Sequence, residues 1–328
     1  MRAMVLAAGE GKRLQPLTYN FPKPLVPVAN RPVMEHILLW LARHDIREVV
    51  INTHYMAEQI EKYFGDGSRY DMDIYFSRED RLWGTAGSVS RVKGYFKDTF
   101  LVIGGDDLSD VNLTRLVEQH NESGALASIG VKEVEDTSQF GVVVADDNGQ
   151  IFRFQEKPKP EEALSHFANT GIYLFEPEIF RYMPEGEVYD FGRQLFPLLL
   201  ETREKFFGFP VEGFWCDVGS LKEYKESHWA ILDGRCKAEI PGLQISPGVW
   251  VEEGARIHPD SKVFGPCIIG SGAMIEPGAK LSGHVVVGRN ARVSRGSSLD
   301  HAIVWDNAMV NENTTHRDAV ICVDRVAT

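Results

Sequence analysis

The sequence predicts an α/β protein in two parts: a mixed, mostly parallel sheet covered by helices, then a parallel β-helix. Three features carry this reading. Short apolar runs alternate with amphipathic helical stretches over the first two thirds of the chain. The first run, 1–8, stops abruptly at a turn containing Gly9 and Gly11. From Ile245 onward the apolar period becomes six.

Each element has its own justification. Run 1–8 is short and apolar throughout, as a buried strand is. Asn30 as N-cap and Pro32 in the first turn open a helix over 33–43, with an apolar face of Val33, Ile37, Leu38 and Leu41. A strand at 47–52, a helix at 57–64 and a strand at 72–77 follow. Next come a helix from 84 to 92, a strand at 100–103, a helix at 112–121 and a strand at 125–131. The stretch 141–154 is a hairpin with Asn148-Gly149 at its turn. Residues 191–203 are an amphipathic helix, and 206–211 and 213–217 are short strands. Ser220-Leu221-Lys222-Glu223 is a capping box that starts a helix reaching Leu232, where Asp233-Gly234 ends it. Such alternation implies parallel pairing, and ligands of parallel sheets bind beyond the carboxyl ends of the strands.

Composition narrows the function. A length of 328 residues suggests about two domains. The net charge of −12 argues against general nucleic-acid binding, yet accepts a nucleotide that arrives with a divalent cation. Cysteines 216, 236, 267 and 322 have no CxxC spacing, which argues against a zinc site or disulfide framework and fits a reducing cytoplasm. No apolar run reaches transmembrane length, and no secretory leader precedes the first strand.

The glycine turn is the first candidate site. Gly9 and Gly11 let backbone approach a ligand closely, and consecutive N–H groups there form a nest for anions. Lys12 and Arg13 stand beside it, and Lys23 is held in an extended loop by Pro22 and Pro24. A bare GxG turn is more often only a turn; the three cations favour a polyphosphate cradle. At the end of strand 100–103, adjacent Asp106 and Asp107 suit a hard cation with oxygen ligands, while Asp107 and Asp110 also suit turn or cap positions. Gly84 and Gly87 leave room for a flat ring, with Thr85 placed to read its edge. Glu79 is either an acceptor for a guanine edge or a loop charge.

At these residues a family resemblance emerges. GEGKRLQPLT followed by FPKPLVPV is similar to the signature of nucleotidyltransferases that make nucleoside-diphosphate sugars. The resemblance implies a Rossmann-like catalytic domain over 1–232, a linker at 233–243 and a left-handed β-helix over 244–322. It implies transfer of a nucleotidyl group from a nucleoside triphosphate to a sugar 1-phosphate, with release of pyrophosphate. GGDDLSD resembles the family's G-D-x-L-x-D segment and WCDVG its W-x-D-V/T-G motif, which assigns Mg²⁺ to Asp106 and Asp217 and catalytic roles to Arg13 and Lys23. The nucleotide then falls to Leu6, Ala7, Ala8, Gly9, Gly11, Lys12 and Arg13, with Glu79, Gly84, Thr85 and Asp106. The stretch EDRLWGTAGS resembles the base-contact segment, but Trp83 replaces the usual Leu, so base preference stays open. E-K-P and N-x-G-I-Y motifs assign the sugar phosphate to Lys23, Gly141, Glu156, Lys157, Asn169 and Thr170. Segment 79–87 and the short β-helix look most like mannose-1-phosphate guanylyltransferases. Glucose-1-phosphate thymidylyl-, uridylyl- and adenylyltransferases share every other motif. Non-catalytic regulatory relatives typically lack the Arg or the metal acids, which are all present here.

The C-terminal register is long. Ile245, Val251, Ile257, Val263, Ile269, Ile275, Leu281, Val287, Val293, Leu299 and Trp305 recur every six residues. A second, mostly small column runs from Val249 through Cys267 and Ala273 to Ser297 and Ile303. One large and one small inward residue per hexad suits a coil with flat faces and tight corners. Histidines at 258, 284, 301 and 316 admit a hexapeptide acyltransferase as an alternative, although no inserted loop offers an acyl-donor site. The β-helix is expected to pack on the first domain and to make contacts in a homo-oligomer.

Overall fold

The computed structural model describes residues 1–327. The chain divides into two compact units. The first contains Met1–Glu10, Pro22–Pro24 and Met34–Asp217; the second contains Gly11–Phe21, Leu25–Val33 and everything from Val218 onward.

The first unit is built on a nine-stranded sheet. Its strands are β1 (Arg2–Leu6), β2 (Glu48–Thr53), β3 (Asp73–Arg78), β4 (Phe100–Gly104), β6 (Ala127–Glu133), β7 (Gly141–Ala145), β8 (Ile151–Glu156), β9 (Phe167–Phe175) and β10 (Phe206–Pro210). Two short strands outside it, β5 (Asp107–Ser109) and β11 (Trp215–Asp217), pair with each other. The main path is β8-β7-β9-β4-β1-β2-β3, with β6 joining β9 to β10. Strands β4, β1, β2 and β3 run parallel. Ala3, Met4 and Val5 are fully buried, as both faces of a central parallel strand must be. Helices α1 (Val33–Arg43), α2 (Ala57–Phe64), α3 (Thr85–Arg91), α4 (Leu113–Ser123) and α5 (Phe196–Glu201) fill the crossovers and the C-terminal part. A core cluster gathers Phe100, Phe175, Phe191, Phe196 and Phe206, all at most 1 % exposed.

Three local expectations are corrected. Lys23 is not in an extended stretch, because Lys23–Leu25 form a 3-10 turn. Asn30 does not cap α1. It sits at φ 63° in the turn between the paired segments Pro27–Val28 and Arg31–Pro32, and the helix starts only at Val33. The single helix expected over 191–203 is a π turn, Phe191–Leu195, running into α5.

The second unit holds helix α6 (Leu221–Leu232) and the hexad region. Ser220 caps the helix as expected: its hydroxyl accepts the Glu223 N–H at 3.4 Å and donates to the Glu223 carboxylate. In the hexad region, parallel ladders pair residues one coil apart: Val249 with Cys267, Cys267 with Val285, Arg256 with Met274, and Lys262 with Lys280. Each step spans 18 residues, so a coil takes three hexads, and Ile269, Leu281, Val287 and Leu299 fill the interior.

The register expected at both ends is wrong. Ile245 is 61 % exposed, in an antiparallel strand (Leu243–Ser246) that closes the first coil. At the other end the coil shortens by one residue. Val285 pairs with Ala302 and Val287 with Val304, so Ala302 and Val304 continue the inward columns in place of Ile303 and Trp305. The loss falls at the corner, where the first strand has Ser282-Gly283-His284 and the next only Asp300-His301.

Candidate active site

Strands β1, β2 and β4 end together, Leu6 beside Asn52 and Gly104, and β5 follows β4 directly while β11 joins it from far along the chain. Ser109 pairs with Trp215, Leu108 with Cys216, and Asp107 with Asp217. The pairing is reinforced at its base. The Asp110 carboxylate accepts the Phe214 N–H at 2.5 Å, and the Phe214 carbonyl accepts the Asp110 N–H and the Ser109 hydroxyl at 3.1 and 3.0 Å. Carboxylate oxygens of Asp106, Asp107 and Asp217 consequently lie within 4.8 Å of one another. Gly104 makes this possible: a Cβ there would stand 2.4 Å from Asp107 Oδ2 and 3.0 Å from Asp106 Oδ1.

Lys23 reaches the same cluster. Its ammonium donates to Asp106 and, at 3.2 Å, to Asp217 Oδ1. Burial works against its charge, but Asp106 and Asp217 outweigh burial and hold its pKa above the ordinary lysine value. Asp107 is buried; burial first, then the neighbouring Asp106 and Asp217 charges, push its carboxyl well above the ordinary range. The Asp106 and Asp217 carboxylates around one ammonium leave an excess of negative charge, with the buried Asp107 carboxyl beside them. An oxygen-only donor set of this kind fits a hard divalent cation.

Beside the cluster lies a pocket of about 360 Å³. Leu6, Ala8, Gly9, Glu79, Gly84, Thr85 and Asp106 are among the residues that line it. Ala7 does not line it, but its N–H donates at 2.8 Å to Oδ1 of Asn52, which does. Asn52 in turn donates from Nδ2 to Glu79 Oε1 at 2.9 Å. Glu79 is 4 % exposed, and its second oxygen, Oε2, has no hydrogen-bond partner. A buried carboxylate oxygen left in that state is costly unless a ligand donates to it. Trp83 is buried beneath two guanidinium groups, Arg81 at 3.9 Å and Arg91 at 4.7 Å from its ring. That stack gives the bulkier residue a place in the segment.

A second pocket of about 220 Å³ adjoins the first, sharing Thr85, Asp106, Gly171, Tyr173 and Asp190. Gly141, Glu156, Lys157, Asn169 and Thr170 line it, with Asp107 and Asp217. Asn169 is rigidly set: Oδ1 accepts the Gly171 N–H at 3.0 Å and Nδ2 donates to the Tyr173 hydroxyl at 2.9 Å. The Thr170 hydroxyl donates to the Gly130 carbonyl at 2.7 Å. Burial raises the pKa of Glu156 against the opposing effect of Lys157.

Most of the expected residues therefore meet in the first unit. Gly11, Lys12 and Arg13 belong to the second unit, where Gly11 at φ 67° opens the turn Lys12–Leu14. Sequence reasoning left Asp107 as a possible turn residue and passed over Asn52 and Asp190. Asp107 carried a signal in its neighbour Asp106. Asn52, at the carboxyl end of β2, carried only its position, and Asp190 becomes visible only once the chain is folded.

Acids and a lysine at the carboxyl end of a parallel sheet, beside two joined pockets, define an enzyme that handles phosphates. Comparisons with known proteins agree. A family model described as nucleotidyl transferase matches residues 2–234. The chain is 41 % identical over 286 residues to a UTP–glucose-1-phosphate uridylyltransferase of Synechocystis, covering 82 % of this chain and 74 % of that one. It is 34 % identical over 252 residues to the catalytic subunit beta of mannose-1-phosphate guanylyltransferase of Drosophila pseudoobscura, covering 76 % and 67 %. A crystal structure of UDP-glucose pyrophosphorylase shares the fold, with a TM-score of 0.63 at 21 % identity, covering 71 % of this chain and 98 % of that chain. The chain belongs to the nucleotidyl transferase family, as a sugar-1-phosphate nucleotidyltransferase.

Proposed function

We propose that the enzyme joins GTP to mannose 1-phosphate, giving GDP-mannose and pyrophosphate. The observation that supports this base is Glu79 Oε2, buried in the larger pocket without a donor. Guanine presents two adjacent N–H donors on one edge, whereas uracil and thymine flank their single N–H with carbonyls that a carboxylate repels.

In the proposed mechanism a phosphate oxygen of the sugar phosphate attacks the α-phosphorus in line. The bond from that phosphorus to the β-phosphate bridging oxygen breaks, and pyrophosphate leaves with the electron pair. Lys23 holds the two reacting phosphates against their mutual repulsion, and Arg13 stabilises the departing charge. Gly9, Gly11 and Lys12 cradle the triphosphate, with Leu6, Ala7 and Ala8 behind. Gly84 and Thr85 hold the base. Gly141, Glu156, Lys157, Asn169 and Thr170 hold the sugar. Mg²⁺ held by Asp106 and Asp217, with Asp107 beside them, would neutralise charge on the phosphates. The catalytic domain is residues 1–232, the linker 233–243 and the β-helix 244–322, in a cytoplasmic homo-oligomer. Among the described residues no helix is long and apolar enough to cross a membrane.

A second reading, UTP with glucose 1-phosphate, is favoured by the similarity to the Synechocystis uridylyltransferase. Pyrophosphate release with Mg²⁺ decides between them, with GTP, ATP, dTTP and UTP crossed against mannose and glucose 1-phosphates. A dominant GTP–mannose signal is expected. A dominant UTP–glucose signal overturns the substrate and keeps the mechanism.

A further inference from the structure

Lys23 is presented by a loop whose two flanks are held elsewhere. Pro22–Pro24 pack in the sheet unit, while Gly11–Phe21 and Leu25–Val33 pack in the unit that contains α6 and the β-helix. That second unit grips the flanks through side chains that no step of the reaction uses. Helix α6 carries Tyr224 and His228 four residues apart, on one face, and both are fully buried. The Tyr224 hydroxyl donates to the Pro27 carbonyl at 2.8 Å and accepts the Trp305 indole N–H at 2.9 Å. His228 accepts the Ala29 N–H on Nδ1 at 3.2 Å, and its Nε2–H donates to the same Pro27 carbonyl at 3.1 Å. One accepting and one donating nitrogen specify the neutral Nε2–H tautomer. Asn30 Nδ2 donates to Glu252 Oε1 and to the Val287 carbonyl, both at 3.0 Å. On the other flank, Phe21 packs on Trp305 with ring centroids 5.6 Å apart.

The grip holds a backbone shape that the loop disfavours on its own. Ala29 and Asn30 are both left-handed, at φ 48° and 63°. For alanine that conformation is disfavoured, and it persists only where surrounding contacts over-determine it. Here the contacts come from α6 and from the first and third coils of the β-helix.

We infer that Tyr224, His228 and Asn30 are positioning residues of the transfer reaction, fixing the loop from which Lys23 is presented. Lys23 lies two residues from Phe21 and four from Pro27. Its four-carbon stem is flexible, so the place of its ammonium is only as well defined as its backbone. The inference rests on the reading that Lys23 acts on the reacting phosphates. It gives the C-terminal unit a part in catalysis that reaches the site through the chain itself.

Two variants of the full-length protein test it. Tyr224→Phe keeps the buried ring and removes both hydrogen bonds. Asn30→Gly suits the left-handed backbone and removes the side-chain grip. Kinetics use whichever nucleotide and sugar phosphate the wild type turns over, with amide exchange followed over the whole chain. Both variants are expected to lower kcat about tenfold while the nucleotide KM stays within about twofold, because the groups that read the base lie in the other unit. Faster exchange is expected only over 22–33. Unchanged kcat in both variants overturns the inference, as does a joint shift of kcat and KM with faster exchange throughout. Full turnover in Lys23→Met would instead refute the role proposed for Lys23. If the wild type transfers nothing, the proposed function fails, and unaltered protection of 22–33 in Tyr224→Phe refutes the anchoring separately.

Discussion

Asp217 stands directly opposite Asp107 in the β5–β11 ladder, although more than a hundred residues separate them in the sequence. The pairing, tied at its base by Asp110 and Phe214, brings two motifs into one cation-attracting cluster with Asp106 and Lys23.

The cluster makes its acids testable one by one. Asp106→Asn and Asp217→Asn keep the side-chain shape and remove a charge. Turnover with Mg²⁺ is expected to fall at least a hundredfold, roughly, with an unchanged far-ultraviolet circular dichroism spectrum. Calorimetric Mg²⁺ titration should show weaker binding in both. Near-normal turnover in either variant would remove that residue from the metal assignment.

Asp107 should behave differently, because its ionised form is penalised in the metal-free fold. Its carboxyl is raised above the reference value of 3.8 by burial and by Asp106 and Asp217. For a raised acid, the stability associated with the neutral form is present below the unfolded pKa and is lost as pH rises through the folded one. Asp107→Asn cannot ionise, so its advantage appears at neutral and higher pH and vanishes in acid. In chelator at pH 8, melting is expected about 2–4 °C above wild type, with the two proteins converging near pH 3.5. A lower melting temperature at pH 8 would contradict the electrostatic account.

Glu79→Gln probes the nucleobase pocket. Glutamine keeps an acceptor for Asn52 Nδ2 and places a donor where Oε2 stood. Losing a hydrogen bond to a charged group costs about 1.5–3 kcal/mol, so the KM for GTP should rise about 10- to 100-fold with kcat little changed. KM for UTP and dTTP should hardly move. An equal rise for every nucleotide would mean that Glu79 does not read the base.

Motifs that follow one another closely were legible in the sequence because local chemistry specifies them. The α2 limits, the 141–154 hairpin and the Ser220 cap arise from spacing and turn residues alone. The pocket-lining motifs were legible through their resemblance to a known family, since alone Glu156 reads as a surface ion and Asn169 and Asp217 as turn residues. What was hidden depends on long-range pairing. Asn52 matters because β2 lies beside β1, so that it bridges Ala7 and Glu79. Asn30 read as a helix cap because its type and spacing fit one, and only the grip of Glu252 and Val287 shows why it holds a left-handed turn instead. The hexad count failed where the coil loses one residue, since a fixed period cannot register a shortened corner.

That shortened corner yields the last prediction. Val304, 1 % exposed, fills the coil interior where a strict six-residue count places Trp305, and Ile245, 61 % exposed, stands outside the interior that the count assigns it. Val304→Ala should therefore destabilise the β-helix by about 1–3 kcal/mol, and Leu281→Ala, at an interior position with no exposure, by about 2–5 kcal/mol. Ile245→Ala should change stability by less than about 0.5 kcal/mol. Trp305→Phe removes the indole donor to Tyr224 while keeping an aromatic ring against Phe21, so its effect should fall mainly on kcat. Urea unfolding followed by circular dichroism measures the first three. A large loss for Ile245→Ala together with a small one for Val304→Ala would restore the strict hexad register and refute the shortened coil.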